Sequence, residues 1–469
     1  MNILFVVPYA PTLIRTRSYN LIRALAGRGH ALTVATLYEN EDEHLFLESL
    51  ADADIQVVSA PLTKVRKASN LLGALPSRTP LQANYCWQPS LARYLNLQLA
   101  TCHLQPDIIH VEHLRGARHG LLAKSAICNL QSAIPIVWDS VDCISYLFEQ
   151  AAQHSRSVFG KWVTRLELAR TRRFEGWLLS QFDRVLVTSK IDKQALECLA
   201  PLSQGWEPRG GALRAQRLIG STLRWGLDKL DLTTQGNAYS ARRGGGPALP
   251  PGHRDGVSTV EGVRVLPNGV DLNYFKPRDD HPRDPATLVL SGKMSYHANV
   301  SMALYLIREI MPVVWEARPD VRVLIVGKDP SRDIQALNAH PVISVTGTVE
   351  DIRPYLWKAT LAVAPTTYGA GIQNKVLEAM ACATPVVASP QAVSALEAVP
   401  GRDVMVAEEP QAFAEVILQL LADPTKSRQI GQAGRQYVER YHNWEHIAER
   451  LESIYHEVIQ TRHSQPLEN

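Results

Sequence analysis

The stretch TYGAGIQNKVLEAMACATPVVAS, residues 367–389, decides the reading of the fold. The apolar run LAVAP precedes it and PVVAS ends it. Short apolar runs of this kind read as strands buried on both faces. Between them lies a polar, glycine-marked turn that must sit at the mouth of the sheet. Gly369 and Gly371 allow the backbone to approach a ligand closely. A helix is expected to open near Ile372 or Gln373, and its free N–H groups favour an anion there. Lys375 adds a full positive charge in the first turn, where a cation by itself is unfavourable, so an anionic partner is implied. Glu378, three residues on, lies on nearly the same face and can accept both hydroxyls of a ribose diol. The assembly suits a nucleotide diphosphate. From spacing alone, a plain Lys375–Glu378 pair on an exposed helix fits about as well.

The surroundings repeat the pattern. NILFVVP, ALTVATL, IQVVSA, PDIIHVE, IPIVWDS and FDRVLVTS alternate with helical segments in the first part of the chain. The rhythm restarts after residue 285 with ATLVLSG, VRVLIVG, VISVTG, LAVAP and PVVAS. Strands apolar on both faces and separated by helices predict two parallel sheets, each covered on both sides. Two doubly wound, Rossmann-like α/β domains should therefore face a central cleft, with ligand at the carboxyl ends of the strands.

Two further edges belong to that cleft. LVLSGKMSYHANVS is a strand–loop–helix turn in which Gly292 and Lys293 stand at the mouth and a helix opens near Asn299. VTGTVEDIRPYL offers Gly347 and the backbone around Val349 as a frame for a flat base, with Asp351 or Arg353 nearby. Taken singly, each fits an ordinary solvated turn.

The totals exclude several classes. The 469 residues carry a net charge of +3, far from the basic bias of a nucleic-acid binder, so no nucleic-acid partner is expected. Six scattered cysteines without a CxxC argue against a disulfide framework and for a reducing cytoplasm. MNILFVVPYAP lacks a basic leader region and a small-residue cleavage site and reads as a first strand. No run reaches the roughly 18 apolar residues of a membrane span. The acidic pair Asp52 and Asp54 falls at a helix end rather than after a strand and reads as a solvated turn. His110 and His113 in HVEH point to opposite faces of a strand, so no shared metal is expected. There is no GxxxxGK[ST], and GAG at 369–371 meets Asn374 where a dinucleotide fingerprint needs glycine.

Together, GAGIQNKVLEAMACATPVVAS, LSGKMSYHANVSMALYLIREIMPVV, VLIVGKDP, VTGTVEDIRPYL and PNGVDLNYFKP resemble the family-four retaining glycosyltransferases of GT-B fold, closest to the bacterial exopolysaccharide-associated branch. The resemblance spans about residues 1–200 and 261–460. It implies that a nucleotide-diphosphate sugar binds the second domain and a saccharide or lipid-linked acceptor the first, with no metal and no other cofactor. It assigns Lys293 and Lys375 to the diphosphate, Glu378 to the ribose, the Gly347–Val349 edge to the base and Gly369 to Gly371 to the donor sugar, with Gly292 and Asn374 in the same turns. It further implies that the leaving phosphate oxygen can take the acceptor proton, so no catalytic base is named.

Two departures stand out. Many relatives carry a glutamate eight positions before Glu378, where this chain has Ala370. Asp139 stands near the place where many relatives line the cleft with histidine. His110, His113, Asp139 and Asp142, together with Glu112, are the cleft candidates of the first domain. Arg15 and Arg17 are the acceptor-side candidates for a phosphate-bearing group. RLELARTRRFEGWLLSQF, residues 165–182, is a basic helix that could lie on an anionic membrane with Trp177 and Phe182.

The expected organisation is an acceptor domain over 1–200, a flexible Gly/Pro/Arg-rich insertion over 201–260, a nucleotide-sugar domain over 261–440, and a terminal helix over 441–469 that crosses back to the first domain. The expected activity is cytoplasmic or membrane-peripheral sugar transfer in exopolysaccharide or surface-glycan synthesis. A nucleotide-sugar epimerase of the same fold and an inactive nucleotide-sugar-binding subunit are the alternatives. Ala370 keeps the second of these open.

Overall fold

The computed structural model describes residues 1–13, 15–51, 55–128, 134–154, 158–203, 262–278, 282–368 and 371–464. The Asp52/Asp54 turn, residues 204–260 of the insertion, Gly369 and Ala370 lie outside these.

The β-branched runs form two parallel sheets. In the first, β1 (Asn2–Val7), β2 (Ala31–Tyr38), β3 (Gln56–Pro61), β4 (Ile108–Glu112), β5 (Ile136–Val141), β6 (Arg184–Val187) and β7 (Val263–Val265) stand in the order β3-β2-β1-β4-β5-β6-β7. The second holds β8 (Thr287–Ser291), β9 (Arg322–Val326), β10 (Ile343–Gly347), β11 (Leu361–Ala364), β12 (Val386–Ala388) and β13 (Met405–Val406), ordered β10-β9-β8-β11-β12-β13. Each order reverses once, between β1 and β4 and between β8 and β11. That reversal is the doubly wound pattern, and it opens a crevice beyond the carboxyl ends of the paired central strands. β4, β8 and β11 are buried along their whole length, as continuous apolar runs under two helical layers require.

One boundary moves. A second domain beginning at 261 would claim β7, but Val263↔Val185 and Val265↔Val187 pair it with β6 in the first sheet. The strand reading simply continues across the insertion, and the chain changes lobe after Leu266.

The return crossing lies beside that one. Val270 N–H donates to the His442 carbonyl at 2.8 Å, and a Cβ on Gly269 would stand 2.7 Å from the Trp444 ring. The helix Trp444–Ser464 then packs Trp444, Ile447, Leu451 and Tyr455 into one core with Phe5, Val7 and Ile22 of the first lobe. At roughly 1.5–3 kcal/mol per buried side chain of this size, that docking is a substantial tie between the lobes.

The membrane reading of residues 165–182 is not what the packing shows. Within the helix Val158–Leu178, Phe174 and Leu178 are buried, and Trp177 packs against the first core. Phe182 lies 5.8 Å from the Trp138 ring in the same core. Phe174, Trp177 and Phe182 thus pack inward, so among the described side chains of residues 165–182 no aromatic residue is left to face a lipid surface. Among the described residues, no helix is long and apolar enough to cross a membrane.

Candidate active site

Two turns of the second lobe meet at its sheet reversal. The turn after β8 carries Gly292 and Lys293 and leads into the helix His297–Tyr305. The turn after β11 ends at Gln373, where the helix Asn374–Ala381 begins. Asn299, 8% exposed, joins them. Its Oδ1 accepts from Lys375 Nζ at 2.9 Å, and its Nδ2 donates to the Lys293 carbonyl at 3.0 Å. Lys375 also donates to Gln373 Oε1 at 3.1 Å. Beside it opens a small recess lined by Ser291, Ala364 and Val386.

Glycine is required at two points of this junction. Gly292 adopts φ +146°, and a Cβ there would stand 2.8 Å from Asn299 Nδ2. Gly327, after β9, adopts φ +153°, and its Cβ would lie 1.7 Å from the Gly292 carbonyl oxygen. The Lys293 turn is thus pressed against bare backbone on one side and Asn299 on the other.

The electrostatics suit an anion. Burial pushes Lys375 down to about 8, with Glu378 opposing the shift. Burial pushes Glu378 up to about 7, with Lys375 opposing. Both keep partial solvent access, so each is a charge held at the edge of a recess and short of water. Lys293 differs. Its side chain is 56% exposed, with Asp329 at 3.8 Å, and it remains free to swing toward a ligand. Gly347 closes β10 with φ +69°. Asp351 and Arg353 hold one another, the closest contact being 2.7 Å, and Arg353 lies 3.8 Å over the Tyr274 ring. They brace the edge near Val349 and are committed to each other.

The first lobe divides the candidates into two sets. Arg17, 5% exposed, donates from Nε to Asp139 Oδ2 at 2.7 Å, and its Nη1 donates to the carbonyls of Leu266 and Pro267 and to Asn268 Oδ1. His110 Nε2 lies 3.5 Å from the same Asp139 oxygen, and the Tyr455 hydroxyl is 2.7 Å from His110 Nδ1. His110 and Asp139 are both fully buried. Burial alone would raise the Asp139 carboxyl, but Arg17 and His110 outweigh it and hold it at about 2. The cleft roles expected for Arg17, His110 and Asp139 are therefore corrected. They form an internal network that fastens the sheet to the interlobe crossing and to the terminal helix.

In the second set, His113, Arg15 and Asp142 keep partial solvent access, while Glu112 is buried. His113, just past β4, has φ +62°, a strained value for a non-glycine residue. Its Nδ1 accepts from the Arg115 N–H at 3.2 Å. Burial first, then Arg115 and Arg15, push its imidazole down to about 3, so the ring stays neutral. The Arg15 guanidinium lies 3.9 Å over the Tyr9 ring, and the Tyr9 hydroxyl donates to Glu112 Oε1 at 2.7 Å. Burial and then Asp139 raise Glu112 to about 7. Across the cleft, Asn374 Nδ2 donates to Thr16 Oγ1 at 3.3 Å, and Asp142 lies against Gly371.

Comparison with known proteins agrees with this frame. Residues 14–200 match the family described as glycosyl transferase 4-like domain, and residues 285–423 match glycosyl transferases group 1. The chain thus carries two matched glycosyltransferase domains in order and has the GT-B fold. Two solved structures share the fold over nearly the whole length. Anabaena HepE in complex with UDP is 14% identical, with a TM-score of 0.60 over 97% of this chain and 100% of that one. Sucrose-phosphate synthase from Thermosynechococcus elongatus is 18% identical, with a TM-score of 0.57 over 98% and 99%. In sequence, a GDP-mannose-dependent monoacylated α-(1-6)-phosphatidylinositol monomannoside mannosyltransferase of Corynebacterium glutamicum is 26% identical over 270 residues, 53% of this chain and 66% of that protein. The α-maltose-1-phosphate synthase of Mycolicibacterium smegmatis is 29% identical over 223 residues, 42% of this chain and 57% of that protein. The match thus spans less than two thirds of these relatives' own length.

In this GT-B chain, the residue whose role has no signal in sequence is Asn299, which sequence marks only as a helix start. An amide at the first turn of a helix normally satisfies that helix's own backbone. Here it satisfies a lysine 76 positions away, a pairing with no local signature. Gln373 and the His297–Tyr368 contact, with His297 Nδ1 2.7 Å from the Tyr368 hydroxyl, were missed for the same reason.

Proposed function

We propose that the protein moves a sugar from a nucleotide-diphosphate sugar to a saccharide or lipid-linked acceptor, with retention at the transferred carbon. The observation that carries this reading is the Asn299 bridge, which brings the Lys375 ammonium and the Lys293 turn to one crevice at the sheet reversal. Cations and helix N–H groups from separate turns are what a diphosphate leaving group needs as its charge grows in the transition state. Lys375 and the start of the helix Asn374–Ala381 would hold one phosphate and the mobile Lys293 the other. Glu378 would take the ribose, and the Gly347–Val349 edge the base. The proposed chemistry requires no divalent ion. The first lobe offers Arg15, Arg115 and the neutral His113 to the acceptor.

Relatives give this reading its direction. The Corynebacterium glutamicum protein is named for a GDP-mannose donor, and HepE was solved with UDP. A role in exopolysaccharide or surface-glycan synthesis follows from the motif resemblance, and a lipid-linked acceptor would place the enzyme at the inner face of the cell membrane.

Binding and turnover test it together. UDP, GDP, UDP-glucose and GDP-mannose are offered with EDTA present, and release of nucleotide diphosphate is followed with and without acceptor extracts. The reading expects one nucleotide to bind, release to depend on acceptor, and Lys375→Met with Glu378→Ala to abolish binding. Full binding by the double variant would reject the site. Binding without release under any acceptor would favour the inactive subunit.

A further inference from the structure

Asp142 stands where the two lobes touch. It follows Val141, whose φ of +68° is a strained value for a β-branched residue, at the point where the pairing of β5 with β6 slips register. That kink carries the Asp142 side chain off the end of the strand and across the cleft. Its Oδ1 lies 2.4 Å from where a Cβ on Gly371 would stand, so the carboxyl rests directly on the glycine turn. Its field also acts on Tyr296, in the turn that bears Lys293. One side chain of the first lobe therefore rests on the Gly371 turn and lies within electrostatic reach of the Lys293 turn.

A bare carboxylate in that place would repel a diphosphate. The surroundings favour the neutral form. Burial and then Asp192 behind it push the Asp142 carboxyl up to about 7, with Asp139 adding to the shift and Thr188 and Arg17 opposing it. The Thr188 hydroxyl donates to Oδ1 at 3.3 Å, which leaves Oδ2 for a ligand. A protonated carboxyl both donates and accepts, as sugar hydroxyls require.

A diphosphate held at Lys375 would leave its sugar beside Gly371, where Asp142 of the first lobe rests. The turn runs Gly369, Ala370, Gly371, Ile372 in sequence, so it supplies no carboxyl of its own. We propose that Asp142 binds a hydroxyl of the transferred sugar from the opposite lobe, with Gly371 kept bare to let it reach, and so sets which sugar the cleft accepts. This rests on the nucleotide-sugar reading above.

Calorimetry with matched pairs separates the two. UDP is compared with UDP-glucose, and GDP with GDP-mannose, on the full chain and on Asp142→Ala and Asp142→Asn. The wild type should bind one nucleotide, and bind its sugar form more tightly. Asp142→Ala should leave the bare nucleotide within about twofold and weaken the sugar form about tenfold, the upper end of the loss expected for one neutral hydrogen bond. Asp142→Asn, which still donates and accepts, should restore most of that difference. A loss of equal size for nucleotide and nucleotide sugar would make Asp142 a lobe contact only and overturn the proposal. So would an unchanged sugar increment in Asp142→Ala. A wild type that binds none of the four would instead defeat the nucleotide-sugar reading beneath it.

Discussion

Lys375 donates to Asn299 Oδ1 at 2.9 Å, although the two residues come from helices that follow different strands. The bond holds the ammonium away from Glu378 and aims it into the crevice. The Asn299 amide is fixed in turn by the Lys293 carbonyl at 3.0 Å. Each turn therefore positions the other before any ligand arrives, and little ordering is left to be done on binding.

Lys375 should take up a proton when a nucleoside diphosphate binds. Its folded pKa of about 8 lies below the ordinary lysine value, so near pH 8 about half of the sites are neutral. An anion beside it raises that pKa. Calorimetry at pH 8 in two buffers of different ionisation enthalpy should show uptake approaching half a proton (~0.5) in the wild type and less in Lys375→Met. Identical uptake in both would assign the proton elsewhere.

Glu378→Ala should erase discrimination between ribose and deoxyribose. The wild type is expected to bind the ribonucleoside diphosphate about tenfold more tightly than its 2′-deoxy form, the scale of one hydrogen bond to a charged group. The variant should bind both alike. A preserved preference would remove Glu378 from the sugar of the nucleoside.

Arg17→Met should cost about 3–5 kcal/mol of stability, because Asp139 would be left buried without its cation. Arg15→Gln, at a partly exposed site, should shift stability by less than about 0.5 kcal/mol. Urea unfolding distinguishes them. The Asp139 carboxyl is depressed to about 2, so its contribution is present above the ordinary aspartate pKa and is lost as pH falls from about 4 toward 2. Wild type and Arg17→Met should therefore converge at the acid end of the profile.

Gly327→Ala should damage the site from outside it. The added carbon would meet the Gly292 carbonyl oxygen at 1.7 Å, contact that only backbone movement can relieve. A loss of at least about 2 kcal/mol is expected, together with weaker nucleotide binding as the Lys293 turn shifts. Wild-type stability in this variant would contradict the close approach.

The two lobes were legible because strand and helix periods are local. LVL, VLIV and AVA runs need cover on both faces, and intervening helices are the nearest cover. The GIQNK turn was legible because glycine, an expected helix start and a misplaced cation coincide there. The β7 boundary was not, since a three-residue strand after an insertion carries too little periodicity to say which sheet it joins.

Sequence alone determined the two parallel sheets, the order of their turns and the residue types that can hold an anion, because each depends on neighbours within one strand–turn–helix unit. Tertiary structure alone decided which polar strand-end residues reach the cleft. His110 and His113 are three positions apart, yet one is sealed and the other keeps partial solvent access. The difference is made by Tyr455, which lies 345 residues away in sequence and covers His110. Burial depends on what packs above a residue, and that cover arrives from distant chain.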